Sequence, residues 1–166
     1  MKSIVLIGFM GAGKTTVGQQ LAARLRIPLI DTDELIKKET NLSIPKIFEL
    51  YGESHFRKLE SEMLKSVLKQ NHVVSTGGGI VELKQNRDFL KQHPYTFFLK
   101  TQLTTIFNRL DGDQNRPLWN QPYIKRLELF NKRQVYYEEA SNVTIETDQL
   151  TVEEIVHNIL THLCYK

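Results

Sequence analysis

The sequence predicts an α/β fold, a doubly wound parallel sheet with helices on both faces. Two observations carry this. Short apolar runs alternate with longer segments of helical periodicity. A complete Gly-x-x-x-x-Gly-Lys-Thr loop, residues 8–15, joins the first apolar run to the first helical segment. With 166 residues the chain is long enough to bury a real core, and it reads as a single domain.

The candidate strands are Ile4–Ile7, 28–31, Val73–Ser75, 95–99 and Val143–Glu146. They are apolar on both sides or nearly so, as strands buried between helix layers are. Helices fill the gaps. Residues 14–25 carry Val17, Leu21 and Leu25 at a spacing of four. Residues 53–69 place Phe56, Leu59, Met63 and Val67 on one face, and 123–140 do the same with Leu127, Phe130 and Tyr137. The last helix opens on Thr151-Val152-Glu153-Glu154, a capping box, and continues through Ile155, Ile159 and Leu163. Ligands in such folds bind at the carboxyl ends of the strands.

Composition excludes several classes. The chain is 40% apolar and 25% charged, the balance of a water-soluble globular protein. A net charge of +3 is too small to argue for nucleic acid or a membrane surface. No apolar run approaches the ~18 residues of a membrane span. Cys164 is the single cysteine, which precludes an internal disulfide and fits a reducing, cytoplasmic setting. The opening Met-Lys-Ser-Ile-Val-Leu-Ile-Gly has the outline of a weak signal peptide, but its apolar stretch is short and runs directly into the glycine loop.

That loop is the strongest chemical signal. Its glycines let the chain curl so that backbone N–H groups point inward at phosphate oxygens. The helix beginning at Lys14 adds the positive end of its dipole. Lys14 is placed to reach the β- and γ-phosphates, and Thr15 offers a hydroxyl to Mg²⁺. The chain is therefore expected to bind a nucleoside triphosphate with Mg²⁺. The base-reading Asn-Lys-x-Asp of GTPases is not matched by Asn131-Lys132-Arg133-Gln134. The acid that many ATPases carry at the end of the third strand is replaced by Ser75-Thr76-Gly77. Acids appear instead in Asp31-Thr32-Asp33, at the end of the second strand. In an extended segment both would point the same way, one toward Mg²⁺ and the other toward a hydroxyl whose proton it accepts. Taken alone, Asp33 also reads as the cap of a helix starting at Glu34.

Three arginines remain. Arg57 has Glu53 and Glu60 within one helical turn, which by itself describes a solvated ion-pair ladder. Arg133 sits among Leu129, Phe130, Tyr136 and Tyr137, where a cation needs an anionic partner, whether a structural carboxylate or a ligand. Arg116 lies in the polar stretch Asp-Gly-Asp-Gln-Asn-Arg-Pro-Leu-Trp-Asn-Gln-Pro, a loop long enough to be a lid. Arginine forks suit carboxylates, and Lys14 with Mg²⁺ already serves the triphosphate. Arg57 and Arg133 thus point to a small hydroxylated acid as phosphate acceptor. Between cradle and acceptor the sequence places Val73-Val74-Ser75-Thr76-Gly77-Gly78-Gly79-Ile80, whose glycines are expected to turn sharply and offer bare N–H groups. On that reading Gly78→Ala damages acceptor binding more than folding.

In series, these motifs resemble the shikimate kinase family over almost the whole chain. They run from the phosphate loop and Asp31-Thr32-Asp33 through Ser43-Ile44, Phe48, Gly52-Glu53, Phe56-Arg57, Glu60 and Gly77-Gly78-Gly79 to Arg116-Pro117-Leu118, Arg133, Tyr137 and Ala140. The resemblance implies a nucleoside-monophosphate-kinase-like P-loop fold, a three-layer α/β/α sandwich whose five-stranded sheet has the order 2-3-1-4-5. It implies transfer of the γ-phosphate of ATP to the 3-hydroxyl of shikimate, in the route to chorismate and the aromatic amino acids. The core would comprise 1–31, 72–108 and 141–166, with a substrate-binding segment at about 32–60 and a lid at about 110–122. It implies Lys14, Asp33 and Arg116 as catalytic residues, and Gly11, Ala12, Gly13, Lys14, Thr15, Thr16, Arg109 and Arg116 around ATP, with Arg109 near adenine. Thr15 and Asp31 would serve Mg²⁺. Asp33, Arg57, Glu60, Gly78, Gly79 and Arg133 would hold shikimate, with the two arginines on its carboxylate and Glu60 orienting Arg57. A cytoplasmic monomer is expected, with shikimate and ATP as its partners. The chain departs from the family in two places: Thr147-Asp148-Gln149-Leu150 lacks the basic residue often found there, and Trp119 stands where a second leucine is usual. Two other readings are a kinase for gluconate or a nucleotide, and a non-catalytic binding protein that kept the fold.

Overall fold

The computed structural model describes residues 2–110 and 120–164. Twelve elements follow in order: β1 Ile4–Ile7, α1 Lys14–Leu25, β2 Leu29–Asp31, α2 Thr32–Thr40, α3 Ile44–Val67, β3 Val73–Ser75, α4 Lys84–Gln92, β4 Thr96–Lys100, α5 Leu103–Leu110, α6 Tyr123–Ala140, β5 Val143–Glu146 and α7 Val152–Cys164. The sheet is wholly parallel with the order β2-β3-β1-β4-β5. Register places Ile4 beside Val73 and Val5 beside Thr96, so β1 lies at the centre of the sheet.

Alternation along the strands separates the two faces. Ile4, Leu6, Val73, Phe97, Leu99 and Ile145 pack under α1 and α7, against Val17, Leu21, Ile155 and Ile159. Val5, Ile7, Val74 and Phe98 face the other layer, against Leu64 of α3, Leu90 of α4, Ile106 of α5 and Tyr137 of α6. A third, smaller cluster joins Ile36 of α2 to Ile47, Phe56 and Met63 of α3, giving the α2–α3 segment a core of its own. All four residues of β1 are fully buried, the reason that strand reads as an unbroken apolar run.

Several boundaries differ from the sequence expectations. The strand expected at 28–31 begins one residue later, at Leu29–Asp31, and the one expected at 95–99 is shifted by one, to Thr96–Lys100. The helix expected at 53–69 begins nine residues earlier, at Ile44. Ser43 caps it, its hydroxyl accepting from Lys46 N at 3.4 Å. Gly52 interrupts it at φ 78°, ψ 167°, a conformation essentially reserved for glycine. The kink divides the pattern, and only the half beyond it shows the long apolar face. Asp33 is not the cap of α2. Asp31 is, its Oδ1 accepting from Asp33 N at 3.0 Å and Glu34 N at 3.3 Å. The chain leaves the extended conformation at Thr32, so Asp31 and Asp33 are not two steps of one strand but a cap and a first-turn residue. The box at Thr151 forms, with Glu154 N donating to Thr151 Oγ1 at 3.2 Å and Thr151 N to Glu154 Oε2 at 2.7 Å. Arg116 and Trp119 lie outside the described residues.

Candidate active site

A cavity of about 470 Å³ opens at the carboxyl ends of β1, β2 and β3. Its floor is the loop from β1 into α1. Gly13, at φ 92°, lets the chain enter α1. Lys14, only 7% exposed, folds back over the loop and donates from Nζ to Gly8 O at 2.8 Å and Phe9 O at 2.9 Å. Its ammonium is thereby held at the mouth of the cradle. Gly11, Ala12, Gly13, Thr15 and Thr16 line the same floor.

Beside the cradle stands a set of oxygen ligands. Thr15 Oγ1 donates to Asp31 Oδ2 at 3.1 Å and lies 3.3 Å from Ser75 Oγ. A hydroxyl pair and a carboxylate form the hard donor set that Mg²⁺ takes together with phosphate and water. Among the described residues no group of three His, Cys, Asp or Glu gathers as a protein-only metal cage. The donor set thus fits a magnesium ion delivered with a nucleotide. Ser75 was not singled out in the sequence; its place at the carboxyl end of the strand next to β1 was the available signal.

The opposite wall is the turn after β3. Thr76 N and Oγ1 donate to Leu6 O at 3.2 and 3.1 Å, and Gly77 N donates to the buried Thr32 Oγ1 at 3.1 Å. None of Gly77, Gly78 and Gly79 adopts a positive φ. What they supply is space. A Cβ on Gly77 would strike the carboxylates of Asp33 and Glu60, and one on Gly79 would fall within the Arg57 guanidinium. On Gly78 it would lie 3.1 Å from Met10 N. The glycines let three charged groups close around a backbone turn.

Of those charged groups, Asp33 is half-buried and the other two are buried. Arg57 is 6% exposed and Glu60 1%. The ladder expected along α3 forms, with Arg57 Nη2 donating to Glu53 Oε1 at 2.8 Å and Nη1 to Glu60 Oε2. It is not solvated, because Arg57 and Glu60 turn inward under the glycine turn. Burial pushes the Glu60 carboxyl up to about 7; Arg57 pulls against it, Asp33 adds to the rise and Arg133 opposes it. Arg133, 1% exposed, donates from Nε to Glu82 Oε1 at 2.7 Å, while Nη2 has no hydrogen-bond partner among the described residues. Tyr137, one turn along α6, donates to Gly78 O at 2.5 Å. Burial raises its hydroxyl pKa above the ordinary phenol range. Asp33, Gly77 and Gly78 line the cavity, whereas Arg57, Glu60 and Arg133 do not and instead pack against the turn. Glu82 carried no sequence signal; it meets Arg133 across 51 residues of chain.

The far end of the cavity is lined by Arg109, Leu110, Thr147, Leu150 and Val152. Arg109 Nη1 donates to Gly11 O at 3.0 Å, laying its guanidinium beside the phosphate loop. In the segment 147–150, Asp148 accepts from Gln102 N at 3.0 Å and Thr105 Oγ1 at 2.6 Å. The acid that stands in this segment is committed to holding the start of α5.

A Lys-bearing glycine loop feeding α1, with hydroxyl and carboxylate donors at the strand ends, defines a P-loop phosphotransferase, and the sheet order matches that class. The family model "Shikimate kinase" matches residues 10–164. The chain is 43% identical to the shikimate kinase of Enterococcus faecalis, across 98% of this chain and 99% of that one. Its structure superposes on shikimate kinase from Acinetobacter baumannii in complex with shikimate at a TM-score of 0.93, with 36% identity over 99% and 94% of the two chains. For shikimate kinase from Aquifex aeolicus the TM-score is 0.83, with 37% identity over 97% and 95%. A gluconokinase from Sinorhizobium meliloti, at 20% identity and a TM-score of 0.56, shares the fold alone. The chain belongs to the shikimate kinase family. Its activity is the ATP-dependent phosphorylation of shikimate, EC 2.7.1.71. Among the described residues no helix is long and apolar enough to cross a membrane.

Proposed function

We propose that the reaction runs between the cradle and the glycine turn, with Asp33 as the base. The observation that carries this is the position of Asp33. It lines the cavity that Lys14 and Thr15 line, and its carboxylate and that of Glu60 both border Gly77. The 3-hydroxyl oxygen of shikimate attacks the γ-phosphorus of ATP in line. The bond to the β–γ bridging oxygen breaks, ADP leaves, and the hydroxyl proton passes to Asp33. Lys14 and the N–H groups of 11–16 hold the phosphates and meet charge as it develops. Thr15, Asp31 and Ser75 would hold Mg²⁺, which would offset the negative charge of the ATP phosphates when bound. Arg57 and Arg133 clamp the shikimate carboxylate, Glu60 orients Arg57, and Gly78 and Gly79 let the acceptor approach the backbone. Arg109 borders the adenine site, and Arg116 reaches the transferring phosphate from the lid. The enzyme acts as a cytoplasmic monomer.

Steady-state ADP release with shikimate, gluconate and a nucleoside monophosphate tests the reading. Shikimate alone is expected to support turnover. Asp33→Asn is expected to lower kcat by about 10²–10⁴, and Arg57→Ala and Arg133→Ala to raise the shikimate KM. Unchanged KM in both arginine variants defeats the clamp, and unchanged kcat in Asp33→Asn defeats the base.

A further inference from the structure

Arg133 and Glu60 are the most deeply buried charged side chains of the acceptor side, and one residue outside the recognised motifs fixes the direction of Arg133. Glu82 follows the glycine turn. Its backbone N donates to Gly79 O at 2.9 Å, closing the loop that begins there. Its carbonyl accepts from Arg87 Nη1 at 3.2 Å, and that same Arg87 nitrogen bonds Val81 O at 2.8 Å. Arg87 in turn donates from Nε to Glu139 Oε2 of α6 at 2.9 Å and stacks over Tyr136 at 4.1 Å. The Glu82 backbone is thus a post braced against both α4 and α6. From that post the two carboxylate oxygens divide. Oε1 takes Arg133 Nε at 2.7 Å, and Oε2 takes the half-exposed Lys132 Nζ at 2.8 Å.

The division matters for the arginine. A guanidinium can present a two-donor fork from its Nε edge or from its Nη end. Glu82 occupies Nε and the Tyr137 hydroxyl also hydrogen-bonds the guanidinium, which leaves Nη2 for an incoming anion. Nη1 lies 3.7 Å from where a Cβ on Gly78 would stand, at the cavity wall, and Nη2 is buried without a hydrogen-bond partner among the described residues. Lys132 balances the second carboxylate oxygen, so the trio of Lys132, Arg133 and Glu82 stays net positive toward an anionic acceptor. Burial opposes ionisation of Glu82, but Lys132 and Arg133 hold its carboxyl below the ordinary range.

We propose that Glu82 is a positioning residue for acceptor binding, holding Arg133 by its Nε edge so that its Nη end faces the shikimate carboxylate beside Gly78. The proposal rests on the reading of Arg133 as a carboxylate clamp. It is tested with Glu82→Ala, Glu82→Gln, Arg133→Ala and the double variant Glu82→Ala/Arg133→Ala, in steady-state kinetics with melting curves alongside. Glu82→Ala is expected to raise the shikimate KM roughly tenfold, the scale of one lost charge-assisted hydrogen bond. Glu82→Gln, which keeps an accepting oxygen, should raise it less, by roughly threefold. The ATP KM and the kcat at saturating shikimate should stay within about twofold. In the Arg133→Ala background the Glu82→Ala effect should vanish. An equal KM rise in that background, or a loss of melting temperature with KM unchanged, makes Glu82 merely structural and overturns the proposal. Should Glu82→Ala not fold, Glu82→Gln decides: an unchanged shikimate KM overturns it. If Arg133→Ala itself leaves KM unchanged, the clamp reading fails instead.

Discussion

Substituting Gly79 by alanine tests what the triple glycine is for. The added Cβ would fall within the Arg57 guanidinium, 2.6 Å from Nη2 and closer still to Nη1 and Cζ. Arg57 therefore has to swing out, breaking its bonds to Glu53 and Glu60. The Glu53 side chain is 47% exposed, and water replaces that partner at little cost. Glu60 is 1% exposed, and losing its cation strands a buried carboxylate, a change that costs about 3–5 kcal/mol. Protonation relieves part of the cost. The Glu60 carboxyl already sits at about 7 with Arg57 in place, and removing that cation raises it further. The loss is accordingly about 3 kcal/mol at pH 8 and smaller at pH 6, where Glu60 in the variant is neutral. For a chain of this length 3 kcal/mol lowers the melting temperature by roughly 6–12 °C. Melting curves at the two pH values measure this, and ADP-release kinetics should show a raised shikimate KM, since Arg57 is displaced. A Gly79→Ala protein that melts within about a degree of wild type at pH 8, with shikimate KM unchanged, would show that Arg57 has room to move and would refute the reasoning.

Three further outcomes are expected. Gly52→Ala meets no neighbour, since nothing lies within 4 Å of a Cβ there, yet it forces φ 78°, ψ 167° on a non-glycine residue; thermal unfolding should show a loss of about 1–3 kcal/mol from backbone strain alone. The raised Glu60 carboxyl makes the folded state bind its proton more tightly than the unfolded chain between pH 4.5 and about 7. That contribution is fully present below pH 4.5 and is lost as pH rises through 7, roughly 3 kcal/mol in all; Glu60→Gln should flatten that part of the stability–pH curve measured by denaturant titration. Asp31→Asn keeps the helix cap but removes the charge beside Thr15, so melting should hardly change while the Mg²⁺ concentration for half-maximal activity rises roughly 10–100-fold.

Motifs that are contiguous were legible in the chain. The phosphate loop is eight successive residues between a strand and a helix, and its geometry follows from glycine and from the helix start. The buried strands announced themselves because both faces of β1 and β3 are covered. The short α2 cap was misplaced by two residues, since Asp31 and Asp33 are equally good caps by composition and only the point at which the chain leaves β2, at Thr32, chooses between them. The lower half of α3 was missed because the Gly52 kink breaks its period.

The chemical class, the sheet and the family were thus determined by the sequence itself, through local spacing and the order of motifs. Burial was decided by the tertiary structure. Whether Arg57 and its two glutamates form a wet surface ladder or an interior charge cluster depends on a glycine turn about twenty residues away, because a guanidinium enters the interior only where backbone bare of Cβ leaves it space. Glu82 and Arg133 meet only when β3, α4 and α6 are assembled, and no spacing along the chain encodes their 2.7 Å contact. Charge placement and pKa depend on which groups share a dry volume, and that is a property of packing.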